Sequence, residues 1–570
     1  RLLENGANSS FVNRIADEAV PLDELVRDPV ATLAALEPKR NPAIPLPNAI
    51  FGAARTNSAG VDLSDPLVRE PLLERLARLE ERQWQAGTGP STAPITSPHD
   101  RLLTVGAVAE ASEEQIDRAM EAAAAAQPDW DARGGAARAA LLERTADLFE
   151  RDREIFFSLC MREAGKTLPD AVLEVREAVD FLRYYASEAR AKFDGPLPLP
   201  GPTGELNQLR LHGRGVWTCI SPWNFPLAIF IGPVAAALAA GNAAMAKPAE
   251  QTPLIGAHAV RLLHEAGVPA EIVQLLPGDG RVGAALCAHR LTAGVAFTGS
   301  TDTARRIART LAERDGPLVP LIAETGGQNA MIVDSSALPE QVTRDVVASS
   351  FQSAGQRCSA LRVLFLQDDV ADAMIRMIAG AMECLVIGGP RDLATDLGPV
   401  IDAQAKAALM AHLDWCEANA RRLYRRELGP EHANGHFVPP AMYEIDSLDR
   451  LSAENFGPIL HVVRWRSGEL DRVIDAVNRS GYGLTLGLQS RIDTTRDYVE
   501  RHARVGNLYV NRNQIGAVVE SQPFGGEGLS GTGPKAGGPH YVPRFATERV
   551  TCIDTTAAGG NASLMASIEG

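Results

Sequence analysis

Apolar and polar positions change period several times along this chain. From Ser112, with Glu113 and Glu114 behind it, an Ala-rich stretch repeats its apolar residues at helical spacing, and Ser112 stands where a helix N-cap belongs. Helical patterns also cover roughly Ala136 to Ala164 and Ala171 to Lys192. Short apolar runs then alternate with amphipathic segments: GVWTCIS (215–221), NAAMAKP (242–248), EIVQLLPG (271–278) and GVAFTGS (294–300). A second series follows, AMIVD (330–334), LRVLFLQ (361–367), ILHVVRW (459–465), LTLGLQS (484–490) and GNLYVN (506–511). Strands separated by helices predict parallel sheets with crossover connections, so the fold class is α/β, with two such domains and a cleft between them.

The ends differ in texture. Residues up to about Pro90 are turn-rich, and PAIPLPNAIFG (42–52) reads as an extended connector. The tail from about Thr532 is rich in Gly and Thr, too loose for a core of its own, and predicts packing on another surface or subunit. The expected divisions are an extension at 1–90, a nucleotide-binding domain at 91–194 and 214–325, a catalytic domain at 326–530, and oligomerisation elements at 195–213 and 531–570. The chain opens on Arg1, which suggests a piece of something longer.

Composition narrows the function. The 570 residues, 45% hydrophobic and 22% charged, are ordinary globular material. A net charge of -15 argues against a nucleic-acid binder, which needs a basic face. The one basic patch, RRLYRR (421–426), follows an amphipathic stretch and reads as a solvated helix face. Seven cysteines without a C-x-x-C pair fit neither a disulfide framework nor a zinc site, and a reducing cytoplasm is the simplest home. His432 and His436 have a metal-like spacing, but Asn434 and Gly435 would break the helix needed to present both rings, so no metal is expected there. The long apolar run at 226–246 is interrupted by Gly232, Pro233, Gly241 and Asn242, which favours a buried helix over a membrane span.

Candidate chemistry lies in the loops. Cys358, in GQRCSA (355–360), is a possible nucleophile whose neighbour Arg357 would favour the thiolate. Asn224, in SPWNFP (221–226), ends a strand where its amide could donate to an oxyanion. AETGGQNA (323–330) sets Glu324 on a flexible turn before two glycines. FTGS (297–300) could be a phosphate-binding helix N-terminus, and KPAE (247–250) could hold a ribose diol. Taken singly, each also reads as a turn or a core position. PGDGRVG contains G-x-G-x-x-G at Gly278, Gly280 and Gly283, the dinucleotide fingerprint on its face.

Together, in order and spacing, these motifs resemble the aldehyde dehydrogenase superfamily from about Ser91 to about Phe545. The resemblance implies a variant Rossmann NAD-binding domain, an α/β catalytic domain and a β-flap for oligomerisation. It implies that Cys358 attacks the aldehyde, that Asn224 and the Cys358 backbone N–H hold the oxyanion, and that Glu324 activates water. Lys247 and Glu250 would contact the adenosine ribose, Gly299 and Ser300 the pyrophosphate, and Glu454 and Phe456 of ENFGP (454–458) the nicotinamide end. A carboxylate at 250 favours NAD over NADP, because it repels a 2′-phosphate. The Gly278 fingerprint is then discounted as the main pyrophosphate site, though it could border the adenine.

A Gly516–Ala517 turn, Ser359, and Glu177 on a helix resemble the glutamate-γ-semialdehyde (pyrroline-5-carboxylate) dehydrogenase branch. There the matching positions anchor the substrate's carboxylate and ammonium groups, and Phe225 and Phe524 flank its aliphatic part. The segments 1–30 and 551–565 resemble the end of the proline dehydrogenase domain and the closing segment of bifunctional proline utilization proteins. The implied partner is a proline dehydrogenase domain in a parent chain; the implied assembly is a homodimer through GPLPLPGPTGELNQLRLHGRG (195–215), and no nucleic acid or metal is implied. Acyl transfer without redox chemistry, and a silent nucleotide-binding scaffold, are the rival readings. Cys358, Glu324, Asn224, Glu454 and the Lys247/Glu250 pair occurring together argue against both.

Overall fold

Apolar runs buried on both faces need helices above and below, and this is how the main strands are arranged. The computed structural model describes residues 14–90 and 93–555. It separates into two units, Arg1–Ala59 and Gly60–Gly570. In the small unit, Asp28 caps the helix Pro29–Ala35 through the Val30 N–H, and Arg14 pairs with Glu24 at 2.7 Å.

The large unit carries the fold. Its helix Pro66–Arg78 puts Leu72 and Leu76 into the core with Trp84, upstream of the residue-90 boundary read from the sequence. Strands β1 (Trp84–Ala86), β2 (Ala93–Thr96) and β3 (Thr104–Val108) form a small sheet in the order β1-β3-β2. A capping box between Ser112 and Gln115 opens the helix Glu113–Ala132.

The first large sheet consists of β6 (Val216–Ile220), β7 (Ala243–Lys247), β8 (Val273–Leu275), β9 (Thr292–Thr298) and β10 (Leu321–Glu324). All are parallel, in the order β10-β9-β6-β7-β8. The chain winds one way from β6 through β8 and then returns to place β9 on the other side of β6. Such a reversal opens a crevice at the C-terminal strand ends, where Ile220, Lys247, Thr298 and Glu324 lie.

The second sheet has β11 (Ala330–Val333), β12 (Val363–Gln367), β13 (Arg421–Arg425), β14 (Ala441–Glu444), β15 (Ile459–Trp465), β17 (Thr485–Gln489) and β18 (Asn507–Val510), ordered β13-β14-β15-β12-β11-β17-β18. Only β13 runs antiparallel to its neighbour. The segment 325–329 joins β10 directly to β11. The C-terminal edge of one sheet therefore meets the N-terminal edge of the other.

Two sequence expectations are corrected. RRLYRR is an edge strand, not a helix face. The preceding helix ends at Asn419, Ala420 is extended, and Arg422 and Arg425 both turn to Glu417 at 3.3 and 3.2 Å. Arginines suit an exposed sheet edge because charge there discourages pairing with other chains. Glu324 is not on a flexible turn either; it closes β10, paired in register with Thr298.

The apolar run near Pro226 forms the buried helix Ala228–Ala239, and no helix among the described residues is long and apolar enough to cross a membrane. The segment 195–215 forms β4 (Leu197–Leu199) and β5 (Leu206–Gly213), joined antiparallel by β20 (Ala546–Ile553). Residues 1–13 and 556–570, which bear most of the terminal resemblance, lie outside the described residues.

Candidate active site

The helix Leu168–Phe193 begins at the Thr167 cap and sets Asp170, Glu174, Glu177, Phe181 and Tyr185 along one face at helical spacing. Its acidic turns meet the loop that holds the cysteine. Arg357 donates to Asp170 at 2.7 Å, and so does Gln352. Lys166 pairs with Glu174 at 3.3 Å, while Glu174 accepts the Leu227 and Ala228 N–H groups that start the helix Ala228–Ala239. Phe225 sits among these cations, 4.6 Å from Lys166 and 5.3 Å from Arg357.

The cysteine loop is bent sharply. After the helix Pro339–Phe351, Ser353, Ala354 and Gly355 have φ of 58°, 54° and 68°, a left-handed run that non-glycine residues enter only under tertiary constraint. Three polar side chains hold the following residues. Asn224 donates to the Gln356 carbonyl at 3.1 Å, Asn329 to the carbonyls of Cys358 (2.6 Å) and Ala360 (3.0 Å), and Arg362 to those of Gly355 (2.7 Å) and Arg357 (3.0 Å).

Cys358 opens onto a cavity of about 430 Å³ together with Asn224, Glu324, Glu454 and Phe456. Burial pushes the thiol up to about 12, with Glu454, Glu324 and Glu177 adding to the shift. The acidifying influence expected of Arg357 is not realised, because its guanidinium turns to the buried Asp170 instead. Glu324 is also raised, to about 8, by burial; neither oxygen accepts a well-formed hydrogen bond, and the Gly526 N–H and the Lys535 ammonium only moderate the shift. Lys535 is itself anchored on the Gly525 carbonyl and Asn507 Oδ1, both at 3.0 Å.

Glu454 pairs with Arg362 at 3.1 Å and is raised by burial. Its loop is tied down by Gln328, which donates to the Ala453 carbonyl at 2.6 Å. A Cβ at position 326 would come within 1.8 Å of Glu454 Oε2, so a larger residue than glycine there would push the Glu454 carboxylate out of its place.

The same cavity reaches Gly299 and Ser300 at the start of the helix Thr301–Glu313, where Ser300 caps through the Thr303 N–H. Lys247, at the end of β7, is buried and donates to the Pro248 carbonyl at 3.0 Å, with Glu250 3.9 Å away and half exposed. Two ammonium protons therefore remain for a ligand. At the G-x-G-x-x-G segment, Asp279 already caps the helix Gly280–Ala288, placing a carboxylate where an anion would sit. Gly283 packs against the Lys247 side chain.

At the other end the cavity is lined by Glu177, Phe181, Tyr185, Ala517 and Phe524. Burial and the neighbouring Glu174 push Glu177 up to about 8. Gly516 is exposed at φ 84° and lies beside the lining rather than in it. Ser359 is buried behind Cys358, with its carbonyl accepting from Thr485 Oγ1 at 3.3 Å. Thus most sequence-derived site residues converge on this cavity, while Lys247, Glu250, Phe225, Ser359 and Gly516 stand outside its lining. Sequence reading passed over Asn329, Arg362, Gln356 and Lys535. The first two announce themselves only as polar residues immediately before strands that open on four apolar residues.

Residues 84–551 match the model of the aldehyde dehydrogenase family. The chain is similar to the bifunctional protein PutA of Klebsiella aerogenes, 51% identical over 573 residues, covering 96% of this chain and 42% of that protein. It is similar to the 1-pyrroline-5-carboxylate dehydrogenase of Geobacillus kaustophilus, 36% identical over 452 residues, covering 78% of this chain and 87% of that one. A crystal structure of 1-pyrroline-5-carboxylate dehydrogenase from Thermus with bound NAD superposes with a TM-score of 0.82 at 30% identity, covering 87% of this chain and 98% of that one. The chain thus spans less than half the length of the PutA protein it matches.

Proposed function

The chain belongs to the aldehyde dehydrogenase family, and from that premise we propose that it oxidises L-glutamate γ-semialdehyde, formed when 1-pyrroline-5-carboxylate hydrolyses, to L-glutamate with reduction of NAD. The observation that carries this reading is the convergence of Cys358, Asn224, Glu324 and Glu454 on one cavity running from a helix N-terminus to Glu177.

The residues fit the cofactor. Lys247 keeps free donors beside Glu250 for a ribose diol, and the helix Thr301–Glu313 starts at Gly299 and Ser300 on the cavity wall, with the Gly299 N–H given to the Glu324 carbonyl at 3.1 Å and the Thr303 N–H to Ser300 Oγ. Glu454 and Phe456, fixed by Arg362, would hold the nicotinamide end. Bound there, NAD accepts the hydride.

The chain's own residues do the rest. The Cys358 thiol first gives its proton to solvent, the thiolate adds to the aldehyde carbon, and the oxygen that becomes anionic is held by the second Asn224 N–H and the Cys358 backbone N–H. Loss of hydride from that carbon leaves a thioester on Cys358. Glu324 takes a proton from water, whose oxygen adds to the thioester carbonyl; the acid departs and the sulfur regains its proton. At about 8, Glu324 is basic enough for this step near neutral pH. The Glu177 carboxylate would receive the substrate ammonium, the Gly516–Ala517 backbone its carboxylate, and Phe225, Phe524 and Ser359 would shape the space between.

The similarity to PutA supports a proline dehydrogenase domain as partner in a longer chain, and the antiparallel β4–β5–β20 flap supports a homodimer. Seven free cysteines suit a cytoplasmic enzyme.

The decisive test mixes the protein with NAD and the semialdehyde and follows NADH absorbance. Steady NADH formation, abolished in Cys358→Ala, is expected. An undiminished rate in that variant would reject the nucleophile and with it the mechanism.

A further inference from the structure

Away from the cavity, three potential metal ligands converge in the second sheet's core. His412 and Cys416 lie one turn apart on the helix Ala403–Asn419, and His461 lies on β15. His412 Nε2 is 2.9 Å from His461 Nε2, and Cys416 Sγ is 3.5 and 3.8 Å from those two nitrogens. His461 and Cys416 are buried, while His412 is half-buried with Trp415 stacked on it at 5.4 Å.

We propose that His412, Cys416 and His461 form a binding site for a zinc-class cation, separate from the aldehyde site. A tetrahedral ion with nitrogen bonds of ~2.0 Å and a sulfur bond of ~2.3 Å keeps its nitrogens ~3.3 Å apart and nitrogen from sulfur ~3.6 Å apart. The three separations found here need adjustments of only a few tenths of an ångström. The protonation pattern also fits. His461 Nδ1 faces the Arg362 carbonyl at 3.1 Å, and a carbonyl can only accept, so Nδ1 carries the hydrogen and Nε2 presents its lone pair inward. A second-sphere carbonyl on the far nitrogen is how metal-binding histidines are usually oriented. The hydrogen bond between the two rings then places the remaining hydrogen on His412 Nε2. On binding, that hydrogen moves to His412 Nδ1, the Cys416 thiol proton passes to solvent, and the sulfur bonds the ion as thiolate. The half-buried His412 side leaves a route for entry and a position for water as fourth ligand. One Cys and two His, two of them at i, i+4 and the third some 45 residues onward, give no C-x-x-C signature, so the cluster is invisible until the fold closes.

Occupancy would clamp the helix Ala403–Asn419 to β15. It would also back Arg362, whose carbonyl accepts from His461 and whose guanidinium holds both the cysteine loop and Glu454.

The test uses the reduced, chelator-treated protein with Cys358, Cys384 and Cys552 changed to serine, titrated with Co²⁺ alone. One equivalent should bind with tetrahedral ligand-field bands and a sulfur-to-cobalt charge-transfer band, and Zn²⁺ should displace it. Adding Cys416→Ser should remove the charge-transfer band, and His412→Ala should weaken binding by more than the ~10–100-fold typical of losing an outer-sphere partner. No cobalt signal in the parent, or a charge-transfer band that survives Cys416→Ser, would overturn the proposal. If Cys416→Ser folds poorly by circular dichroism, His412→Ala at its half-exposed position decides alone, with unchanged affinity counting against the site.

Discussion

A single carboxylate illustrates how burial sets chemistry here. Glu324 sits at the end of a strand with no well-formed partner, and its pKa of about 8 follows from lost solvation rather than from charge pairing. Since the base must be ionised, thioester release should accelerate as pH rises from about 7 to 9, levelling above the Glu324 pKa; single-turnover quench across that range measures it. Glu324→Gln should give a burst of about one NADH per site, followed by turnover slowed at least ~100-fold. An unchanged steady state would remove Glu324 from the role. Glu177 permits a separate test, because a carboxylate held near 8 is drawn down by an incoming ammonium group. Glu177→Ala should raise KM for the semialdehyde at least ~10-fold while leaving an uncharged aldehyde of like length nearly unaffected. Equal losses for both would sink the anchoring role.

At the level of elements, the site depends on how strand ends and one helix are joined. Asn329, in the five-residue link between the sheets, binds the Cys358 and Ala360 carbonyls and accepts from the Thr485 N–H. Removing that buried amide leaves three backbone groups unpaired, so Asn329→Ala should cost roughly 2–4 kcal/mol of stability. It should also lower kcat more than it raises KM for NAD, since the cofactor end is not touched. Urea unfolding with steady-state kinetics reads both. The strand β13 shows why some elements escape a sequence reading. Its five residues include three arginines, and only the neighbouring β14 makes it a strand, because an edge position lets charged side chains reach solvent and Glu417.

Across the whole molecule, buried carboxyls link stability to pH. Glu163, Glu177 and Glu324 are each raised to about 8. Between about pH 4.5 and 8 the folded state keeps protons on these carboxyls that the unfolded chain has released, so their contribution falls as pH rises through that window and levels above it, where the buried thiols of Cys287, Cys358 and Cys416, raised to about 12, continue the decline. Asp152 and Asp170 are lowered instead, and their contributions are complete above the ordinary carboxylate range; His258, His412 and His461, lowered by burial to about 4, 4 and 3, oppose the slope only until an unfolded imidazole loses its proton at about 6.5, which is less than three carboxyls held near 8 remove. The urea midpoint should therefore decline from pH 6 to 8. Glu163→Gln, which keeps one of the two oxygens that accept from Leu254 and Ile255 at the start of the helix Pro253–Ala266, should make that decline shallower without altering aldehyde oxidation. A slope identical to that of the unaltered protein would refute the assignment.

The sequence by itself determined the alternation of buried strands and helices, because apolar runs of strand length between amphipathic stretches have few other ways to hide. It also brought Cys358, Asn224 and Glu324 forward as candidates, since they stand in motifs whose order is specific, and all three line one cavity. Only the tertiary structure decided their environment. Arg357 lies next to Cys358 in the chain yet spends its charge on Asp170, and Glu324 gains its basicity from closing a buried strand. Asn329, Arg362, Lys535 and the His412, Cys416, His461 cluster acquire meaning only when distant segments pack. Solvation and hydrogen bonding act across space, whereas periodicity acts along the chain.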